Sequence, residues 1–218
     1  GLLSNSLVIL TADHGEGLGD HGEGQHGFFI YDTTIHVSLI VRPPTAAEGG
    51  RVVDTAVSHV DIFPTVLDAV GLSAPKRVHG QSLLPLIAGE DFIPDRGVYS
   101  ESLYPLLHYG WAPLRAIRTE DRKLISAPRP EVFDVIADPR EERDLSRQQP
   151  AVTSRLEGQL TALRADIESD APAVGSAPDI DAETLAQLQA LGYAAGQGGV
   201  SLEEEEDRPR ADPKDKIG

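Results

Sequence analysis

Three histidines, four carboxylates and six glycines fall within residues 13–27, Asp13-His14-Gly15-Glu16-Gly17-Leu18-Gly19-Asp20-His21-Gly22-Glu23-Gly24-Gln25-His26-Gly27. Imidazole nitrogen and carboxylate oxygen together suit a divalent ion such as zinc or manganese. A carboxylate joined by further oxygen donors would suit calcium or magnesium. A histidine in the same stretch can also give or take a proton near neutral pH. The competing account is that Asp13 caps a turn and the other charges are solvated, as polar residues at the end of a strand often are. The density of glycine and histidine favours a site over that account.

The elements that must position this stretch can be read on either side of it. Residues 7–10 (Leu-Val-Ile-Leu) are a short apolar run of the kind that forms a buried parallel strand, and they empty into Thr11-Ala12-Asp13-His14. The carboxyl end of such a strand is the usual place for a site. Residues 15–27 are too rich in glycine for a helix, so they form a loop. A second buried strand over 37–41 stops at Arg42-Pro43-Pro44. Helices follow over 61–70, with Ile62, Val66, Leu67 and Val70 on one face, and over 82–88, closed by Gly71 and Gly89 respectively.

Short β-type runs at 97–100, 114–119, 123–126 and 132–135 come next, and three of them are near enough in sequence for an antiparallel meander. An α/β domain carrying a small antiparallel sheet accounts for this order. Between the first two runs, Tyr104, His108, Tyr109 and Trp111 read as a loop that could overhang a pocket. Val152, Leu156, Leu160, Leu163 and Ile167 then recur at helical spacing to about residue 168, and Leu185, Leu188 and Leu191 mark a further short helix. The tail holds four consecutive glutamates and Pro-Arg-Ala-Asp-Pro, a composition that favours disorder. The expected division is a catalytic part over 1–146, a helical extension over 147–193 and an acidic linker over 194–218.

Charge and composition narrow the function. The 218 residues carry 35 acidic and 19 basic side chains, a formal net charge of −16. This argues against a nucleic-acid backbone or an anionic membrane surface as the main partner. The absence of cysteine removes disulfides, thiolate metal sites and a cysteine nucleophile from these residues. No apolar run approaches the ~20 residues of a membrane helix. The chain has no methionine and starts at Gly1 just before an apolar run, so a piece of a longer protein is expected, with any targeting segment upstream and the localisation open.

The ordered set Thr11-Ala12-Asp13-His14-Gly15-Glu16, Gly19-Asp20-His21-Gly22, Ile35-His36-Val37-Ser38-Leu39-Ile40-Val41, Ser58-His59-Val60-Asp61-Ile62-Phe63-Pro64-Thr65 and His79-Gly80-Gln81-Ser82-Leu83 resembles the sulfatases of the alkaline-phosphatase-like superfamily. Lys123-Leu124-Ile125, Val132-Phe133-Asp134 and Asp138-Pro139 extend it to about residue 146. The resemblance implies the carboxyl-terminal part of a mixed-sheet catalytic domain and a sulfuric ester hydrolase. It implies that Asp13 and His14 ligate one divalent cation, calcium in most sulfatases. It further implies that the nucleophile, a cysteine converted to formylglycine, lies upstream, and that the substrate is a sulfate ester.

Where many sulfatases carry a lysine that contacts the sulfate and leaving oxygen, this chain has His26, which can still donate a proton to the leaving group. The same histidine is similar to the pattern of the superfamily's phosphoethanolamine transferases, which use zinc. Phosphoryl or phosphoethanolamine transfer, phosphodiester hydrolysis and a degenerate non-catalytic module are therefore the alternatives. His21, His108 and Trp111 are candidates for substrate contact, although His21 could equally pin the loop and the aromatic group could be buried under the small sheet. His59 and Asp61 read as an anchoring pair before the helix at Ile62. Ser73-Ala74-Pro75-Lys76-Arg77 matches the core of the sulfatase nucleophile motif but follows the metal segment and lacks the Thr-Gly that completes the motif, so it is set aside. Residues 212–216 resemble the joint that leads into tetratricopeptide repeats in some large bacterial relatives, which would place a repeat domain downstream.

Overall fold

The computed structural model describes residues 2–44, 49–90, 96–169, 184, 187 and 209–217. The two apolar runs that flank the histidine-rich loop form β1 (Val8–Leu10) and β2 (Ile40–Arg42), with a one-turn helix, α1 (Asp32–Ile35), between them. β1 and β2 pair with each other in antiparallel register, Val8 opposite Arg42 and Leu10 opposite Ile40. This corrects the expectation of buried parallel strands. The connection between them has no helix longer than one turn to carry a crossover, and Leu10 and Ile40 are exposed among the described residues.

Helices α2 (Ile62–Ala69) and α3 (Leu84–Ala88) follow. The buried residues of α2 are Pro64 and Thr65, while Val66 and Val70, expected on its inner face, are exposed. Polar bonds explain the difference. The Thr65 hydroxyl donates to the Asp61 carbonyl at 2.6 Å and accepts the Leu83 N–H at 2.9 Å, tying α2 to α3. The buried Asp61 carboxylate accepts from the Ser58 and Gln81 N–H groups, each at 2.8 Å, and pairs with Arg96. Asp61 is thus an anchor, in keeping with the sequence reading.

The four later runs become one antiparallel sheet in the order β3 (Val98–Ser102), β4 (Leu114–Arg118), β5 (Arg122–Ser126) and β6 (Glu131–Asp134). Residues 104–111, expected as a loop, contain a short helix, α4 (Tyr104–Tyr109). Pro105 fits its first turn, and Gly110 closes it at a left-handed φ of 65°.

Alternation along the strands gives the sheet two apolar faces. One packs Leu114, Ala116, Ile125 and Phe133 against Phe29, Ile30 and Tyr31, the residues that directly follow the histidine-rich loop. The other packs Ile117, Leu124 and Val132 against Leu156 and Leu160 of α5 (Pro150–Ser169). The sheet is therefore the platform on which the loop rests.

The expectation of a disordered tail through residue 218 is corrected at 209–217. Pro213 and Asp212 are buried there, and Ile217 packs against the cluster that holds Phe29–Tyr31. Arg129 forms a forked pair with Asp215 at 2.7 and 2.9 Å, Lys214 donates to the Arg129 carbonyl at 2.7 Å, and the Ala112 N–H donates to the Ala211 carbonyl at 2.9 Å. Composition suggested a solvated segment because it counts charges without their partners. Leu185, Leu188 and Leu191, on which the further helix was expected, and the glutamate run lie outside the described residues.

Candidate active site

Asp13 and His14 follow the end of β1 after Thr11 and Ala12. The Asp13 side chain is 88% exposed, and the backbone N–H of His14, then its own, hold its carboxyl below the usual carboxylate range, helped by the His14 ring. Its Oδ1 accepts the His14 N–H at 3.0 Å. The His14 Nδ1–H donates to the Gly15 carbonyl at 2.8 Å, so Nε2 is the ring nitrogen that could serve as a ligand. Asp13 Oδ2 and His14 Nε2 are 3.8 Å apart.

The loop returns His26 to this pair. Gly17 N–H donates to the Gln25 carbonyl at 2.6 Å and Gly19 N–H to the Glu23 carbonyl at 2.8 Å, so the intervening residues fold as a tight double-back. Gly17 has to be glycine, since a Cβ there would lie 2.5 Å from the Glu23 carbonyl oxygen. The buried Glu23 carboxylate accepts the N–H groups of Phe28 and Phe29 at 2.8 and 3.2 Å. Burial pushes that carboxyl upward, and the two bonds oppose the shift. The result sets the His26 ring against His14, centroids 3.9 Å apart at 31°. His26 Nδ1 contacts both Glu16 oxygens at 3.2 and 3.3 Å, so its Nε2 is the nitrogen left for a substrate.

Asp13, His14, Glu16 and His26 thus form one open cluster. Glu16 had no role in the sequence reading; its only signal was its place in the Asp-His-Gly-Glu run. His21 lies apart from the cluster's contacts: it stacks on Tyr31 at 3.6 Å and 9°, and its Nε2 lies 3.1 Å from the Arg140 carbonyl oxygen. His59 Nε2 sits 3.3 Å from the Thr11 hydroxyl, tying the end of β1 to the segment before α2. Ser73, Lys76 and Arg77 are exposed beyond α2.

His108 and Trp111 belong to an aromatic group beside the loop. Phe28 meets Tyr104 edge-on at 4.9 Å, Tyr104 lies 4.1 Å from His108, and Tyr109 stacks on Trp111 at 4.5 Å. The Ser102 hydroxyl donates to the Gly27 carbonyl, joining this group to the residue after His26. Tyr109 is half exposed and Tyr104 more than a third, so the group reaches the surface.

Among the described residues no group of three or more His, Cys, Asp or Glu side chains is placed to hold a metal ion. Two donors are placed to share one. Ligand bonds of about 2.0–2.6 Å allow two donors of one ion to stand 3.8 Å apart. The Gly15 carbonyl supplies the outer hydrogen bond that fixes a ligating imidazole's tautomer. The residues therefore fit part of a coordination shell.

Two metal-type donors and a histidine paired with Glu16 thus stand together after β1 in a mixed α/β assembly. Residues 19–166 match the model of the family described as N-sulphoglucosamine sulphohydrolase, C-terminal, and the chain belongs to that family. Arylsulfatase K of Bos taurus is 31% identical over 179 residues, which cover 75% of this chain and 32% of the relative. The solved structure of BT4656 in complex with its substrate D-glucosamine-2-N,6-O-disulfate superposes with a TM-score of 0.63 at 28% identity, over 79% of this chain and 36% of the other. The phosphonate monoester hydrolase of Agrobacterium radiobacter superposes with a TM-score of 0.62 at 27% identity, over 75% and 36%. The chain spans about a third of the length of the curated relatives it matches. No helix among the described residues is long and apolar enough to cross a membrane.

Proposed function

We propose that this chain forms part of the active site of a metal-dependent sulfuric ester hydrolase. The observation that carries the proposal is the cluster itself: two exposed donors, Asp13 and His14, beside a histidine whose Nδ1 is held by Glu16. Asp13 and His14 would hold one divalent cation, calcium on the sulfatase reading, with zinc or manganese the options that the imidazole donor also suits. When bound, such an ion would supply charge that offsets the oxygens of a sulfate group. Glu16 accepts from His26 Nδ1, and His26 delivers a proton from Nε2 to the leaving oxygen. The nucleophile, a formylglycine on this reading, comes from outside these 218 residues, which contain no cysteine.

The substrate class is a sulfated ring alcohol, the kind that the D-glucosamine disulfate bound to BT4656 exemplifies. Trp111 and His108, with Tyr104 and Tyr109, form a surface-reaching aromatic group that such a ring would contact. His21 enters as a loop anchor, a role favoured by its stacking on Tyr31.

Phosphoryl-type chemistry is the second reading, favoured by histidine at position 26 and by the likeness to a phosphonate monoester hydrolase. The two separate in one assay on the complete polypeptide, with metal analysis of the same sample. Sulfate release from sulfated amino sugars or aryl sulfates is expected to exceed phosphate or phosphonate hydrolysis. The reverse ranking would establish the second reading, and no turnover of any of them would mark a degenerate module. The isolated 218 residues are expected to be inactive. Metal-dependent hydrolysis by them alone would bring Ser73 back as a nucleophile.

A further inference from the structure

Lys123 on β5 has no solvent exposure, yet its side chain is charged and long. Its Nζ donates to Asp32 Oδ1 at 2.8 Å and lies 2.8 Å from Glu141 Oε1. Glu141 Oε2 accepts the Asp32 backbone N–H at 2.5 Å, and Arg118 Nε stands 3.6 Å from Asp32 Oδ2. Two cations thus stand against two carboxylates, Lys123 and Glu141 fully buried and Asp32 and Arg118 partly so. Burying such a group is expensive unless every charge is paired, and it contributes little net stability over an apolar substitute. Glu141 is also held at a φ of 55°, the left-handed region that a non-glycine residue enters at a cost. Burial pushes its carboxyl upward and Lys123 opposes the shift. A costly arrangement of this kind calls for a role beyond stability.

The role follows from what Asp32 begins. Asp32 is the first residue of α1, and the carbonyl of Thr34 in that turn accepts the Gly15 N–H at 2.8 Å. Contact there is so close that a Cβ on Gly15 would lie 2.3 Å from the Thr33 carbonyl oxygen. Gly15 is the residue whose own carbonyl fixes the His14 ring. An unbroken series of bonds therefore runs from Lys123 through Asp32 and α1 to Gly15 and then His14.

We propose that Lys123 is a positioning residue, which locks α1 from beneath so that the turn holds Gly15 and aims Asp13 and His14 at one point. Its effect on cation binding rests on the function proposed above, while its effect on the Gly15 amide does not. The same lock bears on where the loop leaves β1, since α1 is the only α-helix between β1 and β2 among the described residues.

The test uses the complete polypeptide and compares Lys123→Met with Leu160→Ala, which removes packing on the opposite face of the same sheet. Both should lower the melting temperature. Lys123→Met alone should speed hydrogen exchange at the Gly15 amide and weaken calcium binding, titrated into metal-free protein, by about 10–100-fold, the range seen when outer partners of metal ligands are lost. If Lys123→Met does not fold, Asp32→Asn, which keeps the side-chain shape, should give the same pattern. Exchange at Gly15 unchanged in the folded variant, or changed equally by Leu160→Ala, would overturn the positioning role. If the unmutated protein binds no calcium, the proposed function fails on that point, and the Gly15 exchange still decides the role of Lys123.

Discussion

A histidine whose ring lies tilted against a candidate metal ligand and commits Nδ1 to a carboxylate has one nitrogen left for substrate, and this defines what His26 can do. As a proton donor to the leaving oxygen it matters most when that oxygen is a poor leaving group. His26→Ala is therefore expected to slow alkyl or sugar sulfates by about 10²–10⁴-fold and activated aryl sulfates much less. A series of esters of graded leaving-group pKa reads this as a steeper dependence of kcat/KM on that pKa; equal losses across the series would remove His26 from the acid role. The grouping of Asp13, His14 and His26 was legible in the sequence because they lie on one short run, while the roles proposed for them came from the family resemblance. Glu16 was not, because its function depends on a partner ten positions later that only the double-back of the loop brings within 3.3 Å.

At the scale of elements, periodicity was informative where a face meets a core. The meander and the α5 helix show this: Leu156 and Leu160 pack on Ile117, Leu124 and Val132. Periodicity misled where polar bonds set the packing, as in α2, and it could not see one-turn helices such as α1 and α4, which have too few residues to show a period. Composition likewise missed the docked segment at 209–217, whose charges have partners. That segment carries its own prediction. The Arg129 guanidinium holds the Asp215 carboxyl below its ordinary value of 3.8. A depressed carboxyl adds to docking above that value, and the contribution is lost as pH falls through the lowered one. Both groups are exposed, so the effect is small. Docking should stay constant from pH 8 to about 5 and loosen only in more acidic solution. Trp111 is the single tryptophan of the 218 residues and adjoins Ala112, which bonds to the segment, so its emission reports the change. Loosening at near-neutral pH would show that another group controls the contact.

Across the whole molecule, one four-stranded sheet supports the site from below. Its inner face carries Phe29, Ile30 and Tyr31, the continuation of the histidine-rich loop, and its outer face carries α5. Buried Lys123 joins the sheet to α1 and so to Gly15. The chain belongs to a sulfatase family yet spans about a third of its curated relatives, so the chemistry has to be tested in the complete polypeptide. The most direct test compares unmutated protein with Asp13→Ala for calcium content and for sulfate release from a sulfated glucosamine. The account predicts that the unmutated protein holds the ion and releases sulfate, that a chelator stops the release, and that Asp13→Ala, folded to the same melting profile, loses both. Retention of chelator-sensitive sulfate release by Asp13→Ala would contradict the assignment of this cluster as the metal-binding part of the site.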